Sequence, residues 1–372
     1  MKYSGMNMEQ VKRRNRAAIL NYINETGPVS RKDIATATGL TPAAVTQICS
    51  VLMEEHILEE LGRAHSEGVG RKKVLVNINY DHTYLYAINM EPDGVKIALS
   101  NLKGDAVAKT LYSFDDQKSP RETLGEIARE AKKLGAGHRN LPIGGVSVAI
   151  SGIVDKKKGL SVHAYGIWDE QVKVCEILES EFDLPVIIEN NVNALAVAEL
   201  LYGFGRQIDN ILLIKWGPGV GSSMILKKEL YEGTDRKAAE LGHYIVEKDG
   251  AKCSCGRRGC LETKVSYPAL CRIRPFAYDE FGVALAESEE LKDALDLFAR
   301  CIVNTVTIVS PNRVILCGSL FRSESVRREL IDACKKYDAA IDEERVSYTD
   351  LSDREDYIGP VATFLDHVIR FS

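Results

Sequence analysis

The sequence predicts a mostly helical, winged helix-turn-helix head followed by an α/β body, and three observations carry that reading. Near the N-terminus, short helical patterns are joined by a glycine turn. From about residue 80, apolar runs of strand length alternate with longer helical patterns. Between Glu240 and Glu262, three cysteines and a histidine converge at a spacing that suits a metal ion.

In the head, Val11, Ile19, Leu20 and Ile23 recur at near-helical spacing, so residues 8–26 read as a helix that Gly27-Pro28 ends. Ser30 caps a short helix from Arg31 to Thr38, and Gly39-Leu40 makes a tight turn. Thr41 and Pro42 open the next helix as N-cap and first residue. That helix buries Val45, Ile48 and Leu52 and shows Ala43, Ala44, Thr46 and Gln47 on its other side. Small side chains let a helix sit deep in a major groove, and Gln47 is placed to read an adenine edge. A plain three-helix packing module is the alternative. Next, Ile57–Leu61 and Val74–Ile78 read as strands around a polar loop, the form of a wing. The loop ends in Gly68-Val-Gly-Arg71-Lys72-Lys73, whose Arg71 and Lys72 can follow phosphates; a charged linker is the other reading.

The body shows strand-like runs at Leu85–Met90, Val95–Leu99, Gly145–Ile150, Val186–Ile188 and Ile211–Ile214. Helical patterns at Arg121–Leu134, Val172–Phe182 and Ala194–Leu201 lie between them. Gly217-Pro-Gly219-Val-Gly221 follows a strand directly, which suits either an anion cradle or a hairpin turn. Val314-Ile-Leu-Cys-Gly318 reads as a later strand ending in a glycine turn, and no internal repeat is evident.

Cys253, Cys255 and Cys260 fall within eight residues, ten residues after His243. Three thiolates and an imidazole form the soft, tetrahedral donor set of a closed structural Zn²⁺ site. Buried inert cysteines are the alternative; a redox pair fits less well, because Cys-x-Cys is not the Cys-x-x-Cys arrangement. Glu240 and Glu262 flank the loop, where they either hydrogen-bond a polyhydroxylated ligand such as a sugar or stay in solvent.

The totals narrow the classes. At 372 residues the chain can hold two or three domains. No apolar run approaches the ~20 residues that span a bilayer, and the N-terminus lacks a signal peptide's apolar core. Six of the nine cysteines are scattered, as free cytosolic thiols tend to be, so a cytoplasmic protein is expected. The net charge of −5 is uneven: residues 1–73 hold eleven Lys/Arg against eight Asp/Glu. A basic head on an acidic body permits nucleic-acid binding by the head.

Several motifs together resemble the ROK family of repressors, open reading frames and sugar kinases. They are Glu240-Leu-Gly-His243, Cys253-x-Cys255-Gly-x-x-Gly-Cys260-x-Glu262, Ser151-Gly152-Ile-Val-Asp155, Glu189-Asn190 and Gly217-Pro-Gly-Val-Gly221. With the winged head, the chain is similar to the family's repressor branch. The resemblance implies a sugar-binding body of two-lobed, actin-like kinase fold, a homodimer or homotetramer, and operator DNA and a sugar effector as partners. It divides the chain into a head (1–76), a first lobe (77–190) and a second lobe with the zinc site (191–372), the last helix free to pack back on the first lobe. It also implies sugar contacts from Asn190, Glu240, His243 and Glu262, in a cleft lined by Gly152 and the His163–Tyr165 region. Where the family's kinases read Glu-Asn-Asp, with the Asp as general base, this chain has Glu189-Asn190-Asn191, and an amide accepts no such proton. The kinases' Asp-x-Gly-Gly-Thr phosphate loop is Glu91-Pro92-Asp93-Gly94-Val95 here. Pro92 removes a backbone donor, Asp93 adds a repelling charge and Val95 removes a hydroxyl. The expectation is a sugar-responsive regulator of the repressing kind, without kinase activity; a sugar kinase carrying a DNA-binding head is the competing class.

Overall fold

The computed structural model describes residues 7–63, 73–115, 117–234 and 238–371. The head comprises α1 (Met8–Thr26), β1 (Val29–Ser30), α2 (Arg31–Thr38), α3 (Pro42–Glu54), β2 (Leu58–Arg63) and β3 (Val74–Ile78). Both predicted caps form: Ser30 Oγ accepts from Asp33 N at 3.3 Å and Thr41 Oγ from Ala44 N at 3.2 Å. Gly39 adopts φ +70°, which ends α2, and the chain turns through 120° between α2 and α3. Ile19, Leu20, Ile23, Ile34, Val45 and Leu52 form the head's fully buried centre, while Ile48 is only half-buried. The wing is a three-stranded sheet in the order β1-β3-β2. Its first strand was missed in the sequence because two residues carry no period.

The body begins with β4 (Tyr84–Glu91), β5 (Gly94–Asn101), β6 (Ala106–Tyr112), α4 (Pro120–Ala136), β7 (Ile143–Ile150), β8 (Ile153–Asp155), β9 (Leu160–His163), α5 (Val174–Phe182) and β10 (Val186–Asn190). After α6 (Asn191–Tyr202) come β11 (Ile211–Trp216), β12 (Val220–Leu226), β13 (Glu229–Leu230), α7 (Glu262–Val265), α8 (Tyr267–Ile273), α9 (Phe281–Ala286) and α10 (Glu289–Val309). The chain closes with β14 (Arg313–Cys317), α11 (Glu324–Lys335), β15 (Val346–Tyr348) and α12 (Ile358–Phe371).

These strands build two five-stranded sheets, β10-β7-β4-β5-β6 and β13-β12-β11-β14-β15. In each, the first strand heads an antiparallel meander on one side and pairs in parallel with the fourth on the other. The backbone therefore does repeat, although the sequence shows no repeat: strand order is set by long-range pairing, which tolerates unrelated side chains. Within Gly217–Gly221, Gly217–Gly219 forms the β11–β12 hairpin turn, closed by Gly217 N donating to Gly219 O at 3.0 Å, and Val220 and Gly221 open β12. Of the two readings open for that stretch, the hairpin is the one observed.

Side-chain alternation decides what each sheet faces. Ile88, Val148 and Ile97 pack under α4 and α5, and Leu212, Ile214 and Leu316 pack under α10 and α11. The opposite faces, with Leu85 and Ala87 from one sheet and Leu213 and Ile315 from the other, close on α6 and α12. Those two helices form a layer shared by both sheets, and α1 of the head packs against α12. No single described helix is long and apolar enough to cross a membrane.

Candidate ligand cleft, metal cluster and DNA-binding face

The cleft is set by the start of α6. Asn190 ends β10 and caps the helix: its Oδ1 accepts from Val192 N at 2.9 Å and Asn193 N at 3.0 Å, and its Nδ2 donates to Gly152 O at 2.7 Å. The helix starts three residues before the predicted Ala194, because Asn190, read as a ligand, is its cap. Gly152 holds φ +110°, and a Cβ there would lie 2.1 Å from the carbonyl oxygen of His163. This close approach folds the β8–β9 hairpin over the cleft.

A cavity of about 290 Å³ opens between the lobes, lined by Gly152, Tyr165, Asn190, Asn191, Glu240, His243 and Glu262 among others. Seven of the eight residues expected at a sugar site thus line one cavity. The exception is His163, which is not part of the lining and instead packs its ring on Tyr165 at 4.8 Å. Tyr165 in turn meets His243 edge-on at 5.4 Å, bringing the two lobes into contact. Glu262 accepts from Val220 N at 3.0 Å and from Ser254 Oγ at 3.4 Å, which joins the cysteine loop to the β11–β12 hairpin. Burial raises the Glu262 carboxyl above its ordinary range despite those donors.

Sequence reasoning missed the charged residues that cross this cleft. Lys156 lies 2.7 Å from Glu189 and also contacts Glu232, which follows β13 in the other lobe. Burial raises the Glu189 carboxyl against the pull of Lys156. At the floor, buried Glu91 of β4 pairs with Lys215 of β11 at 2.5 Å. Burial alone would raise Glu91, but Lys215 and Lys96 hold its carboxyl at about 2. Asn193 is a further lining residue, accepting from Ser223 Oγ at 2.8 Å. Lys156 had no local signal, since it opens a run of three lysines that reads as a solvated surface.

His243, Cys253, Cys255 and Cys260 come together, with their ligand atoms all within 4.8 Å of one another, and could hold a metal ion. Cys255 Sγ and Cys260 Sγ are 3.7 Å apart, and Cys253 Sγ lies 3.6 Å from His243 Nδ1. Gly259 has φ +70°, and a Cβ there would stand 1.8 Å from Glu247 O, so the turn that returns Cys260 to the cluster needs glycine. Burial, with help from Arg257, lowers His243 to about 4, which leaves a neutral imidazole with a free lone pair at neutral pH. Its other nitrogen, Nε2, is 3.7 Å from Glu240 Oε2 on the cavity side.

On the head, Thr41, Ala43, Thr46 and Gln47 are exposed and Ala44 is half-buried, at the N-cap and on the first two turns of α3. The Thr46 hydroxyl donates to Pro42 O at 2.8 Å, so Gln47 is the longer polar reach of this face. Arg71 and Lys72 lie outside the described residues. Their neighbour Lys73 pairs with Asp33 at 3.1 Å.

A winged helix-turn-helix head on a body of two like five-stranded sheets, with a polar cleft beside a four-donor cluster, defines a class: a DNA-binding module joined to an actin-like kinase fold. The chain belongs to the ROK family, which it matches over residues 85–362, and residues 12–59 match the winged helix-turn-helix DNA-binding family. It is 27% identical to the xylose repressor of Bacillus subtilis over 84% of each chain. It is 24% identical to the DNA-binding transcriptional dual regulator NagC of Escherichia coli, over 88% of this chain and 86% of that one. Among solved structures, a ROK family transcriptional regulator homologous to the E. coli MLC protein superposes with a TM-score of 0.79 over 97% of both chains, at 19% identity. The ROK glucokinase of Streptomyces griseus superposes with a TM-score of 0.62 over 76% of this chain and 98% of its own, at 20% identity.

Proposed function

We propose that the chain is a sugar-responsive DNA-binding repressor of carbohydrate genes, acting in the cytoplasm as a dimer or tetramer and lacking kinase activity. The observation that carries this reading is the path of α6. Its first turn, capped by Asn190, lines the cleft, and its last turn receives the head: Asn24 Nδ2 donates to Leu201 O at 2.8 Å. Arg206 adds bonds to the carbonyls of Asn24 and Glu25, covering the C-terminal end of α1, where the helix dipole favours a cation. Twelve residues of helix reach about 18 Å, so one rigid rod connects the two places. A sugar drawn onto Tyr165, Asn190 and Asn191 from one side and Glu240, His243 and Glu262 from the other favours a closed cleft. Closure shifts α6 and with it the head. A paired head then meets two operator half-sites with altered spacing. The xylose repressors among its relatives support this reading.

The kinase alternative lacks its base, because Asn191 stands in the Asp position at the cavity wall. It also lacks an open phosphate loop, since Pro92 and Asp93 form a tight β4–β5 turn above the Glu91–Lys215 pair. For the four-donor cluster, zinc fits the distances. Zn–S bonds of about 2.3 Å and Zn–N bonds of about 2.0–2.1 Å give tetrahedral edges of about 3.8 and 3.6 Å. The observed 3.7 and 3.6 Å agree. Four protein ligands close the shell, so the ion would supply structure, pinning His243 and, through its loop, Glu262.

The test measures operator binding and ADP release on one preparation across a panel of monosaccharides. One sugar is expected to change operator affinity roughly 5- to 150-fold, with no sugar-dependent ADP. Turnover of ~1–100 per second with operator affinity unmoved by any sugar would make the kinase reading right.

A further inference from the structure

The cleft's charges restrict which sugars it can take. Among the described residues its wall carries five carboxylates and two ammonium groups, those of Lys156 and Lys215. Both ammoniums are already engaged by carboxylates of the same wall. Lys215 is buried against Glu91 at 2.5 Å, and Lys156 is held by Glu189 at 2.7 Å and by Glu232. Glu262 takes neutral donors, the Val220 N–H, the Ser254 hydroxyl and the Cys253 thiol. Glu91, Glu232 and Glu240 alone already outnumber the two ammoniums among the described wall residues.

An anionic substituent entering this space finds no unpaired cation among the described wall residues. It must displace Glu232 from Lys156 or lie against carboxylates, and like charges set side by side are strongly rejected. Hydroxyl groups suit the same wall, because carboxylates and amide oxygens accept their hydrogen bonds at little cost. The volume, about 290 Å³, matches one small ring at the lower edge of the ~300–1,000 Å³ typical of ligand pockets.

Resting on the reading of the cleft as a sugar site, we infer that the effector is an uncharged monosaccharide and that the cleft excludes sugar phosphates and sugar acids. The Lys156–Glu232 bridge is the selecting device. It joins the two lobes across the cleft and, among the described residues, engages the ammonium that a phosphate could otherwise reach.

The test is calorimetric titration of the full chain with D-xylose, D-glucose and N-acetyl-D-glucosamine, each beside its terminal phosphate ester, and with D-glucuronate. The uncharged partner of at least one pair is expected to bind, with its phosphate weaker by roughly 100-fold or more and glucuronate silent. The variant Glu232→Gln frees Lys156 from one carboxylate and is expected to narrow that gap by about tenfold, through tighter phosphate binding. A phosphate ester that binds the wild-type chain as tightly as its parent sugar would overturn this inference and leave the sugar site standing. No binding by any member in either form would overturn both.

Discussion

The side-chain amide of Asn24 in the head's first helix donates to the main-chain carbonyl of Leu201, in the last turn of the helix whose first turn forms the ligand cleft. Both partners are buried, and Tyr80 completes the joint by donating its hydroxyl to Asn24 Oδ1 at 2.8 Å. A helix-terminal carbonyl has no intrahelical partner, so Asn24 satisfies a group that α6 cannot satisfy alone. Asn24→Ala should leave that carbonyl and the Tyr80 hydroxyl unpaired, at about 1–3 kcal/mol. The expected result is that operator binding survives while its response to sugar shrinks toward none. Operator titrations with and without sugar check this; an undiminished response would remove α6 from the path.

The four-donor cluster is tested by Cys255→Ser. Zinc content by elemental analysis is expected to fall, and stability to drop by about 2 kcal/mol or more, about 4–8 °C in Tm for a domain of this size. Sugar affinity should fall with it, because Ser254 and Glu262 are held by the same loop. Wild-type protein purified without chelators that contains no zinc would sink the assignment.

How much of this was legible in the sequence depended on how local the cause was. Ser30 and Thr41 were readable as caps because a cap is a contact over three residues. The cysteine loop was readable because its donors sit within one turn-rich segment, and His243 only ten residues away. Asn190 was half-read: its place in the cleft followed from the family motif, but its commitment to Val192, Asn193 and Gly152 needed the fold. Lys156 and Glu232 are 76 positions apart, so nothing short of the lobe arrangement could pair them. The matching strand order of the two sheets was hidden for the same reason, since β13 and β15 have two and three residues and carry almost no pattern.

On the head, Gln47 is exposed on the second turn of α3, where a helix presented to the major groove makes its base contacts. Gln47→Ala should cost about 1–3 kcal/mol at one base pair and relax preference there. Neutralising Arg71 should weaken all sequences evenly and flatten the salt dependence instead. Competition binding on operator variants at several salt concentrations separates the two. Equal loss on every sequence for Gln47→Ala would remove it from base reading.

Between its two functional ends α6 also carries a titrating group. Glu199 is almost fully buried, its Oε1 accepting from the Thr349 hydroxyl and its Oε2 from Phe204 N at 3.2 Å. Burial, with Asp350 and Glu355 adding repulsion, raises its carboxyl to about 7, against about 4.3 in an unfolded chain. Between those values the folded protein keeps a proton that the unfolded chain has released. Stability therefore falls as pH rises from about 4 to about 7, and Glu199 adds no further slope above that. The full span corresponds to about 3–4 kcal/mol as an order of magnitude. Glu199→Gln removes the proton from the balance while keeping a shape that can bond Thr349, whose hydroxyl can turn to accept. Denaturation midpoints of the two proteins should therefore diverge from about pH 4 to about pH 7, the wild type losing stability relative to the variant as pH rises. Parallel curves over that range would mean that Glu199 ionises in the folded protein as it does in the unfolded chain.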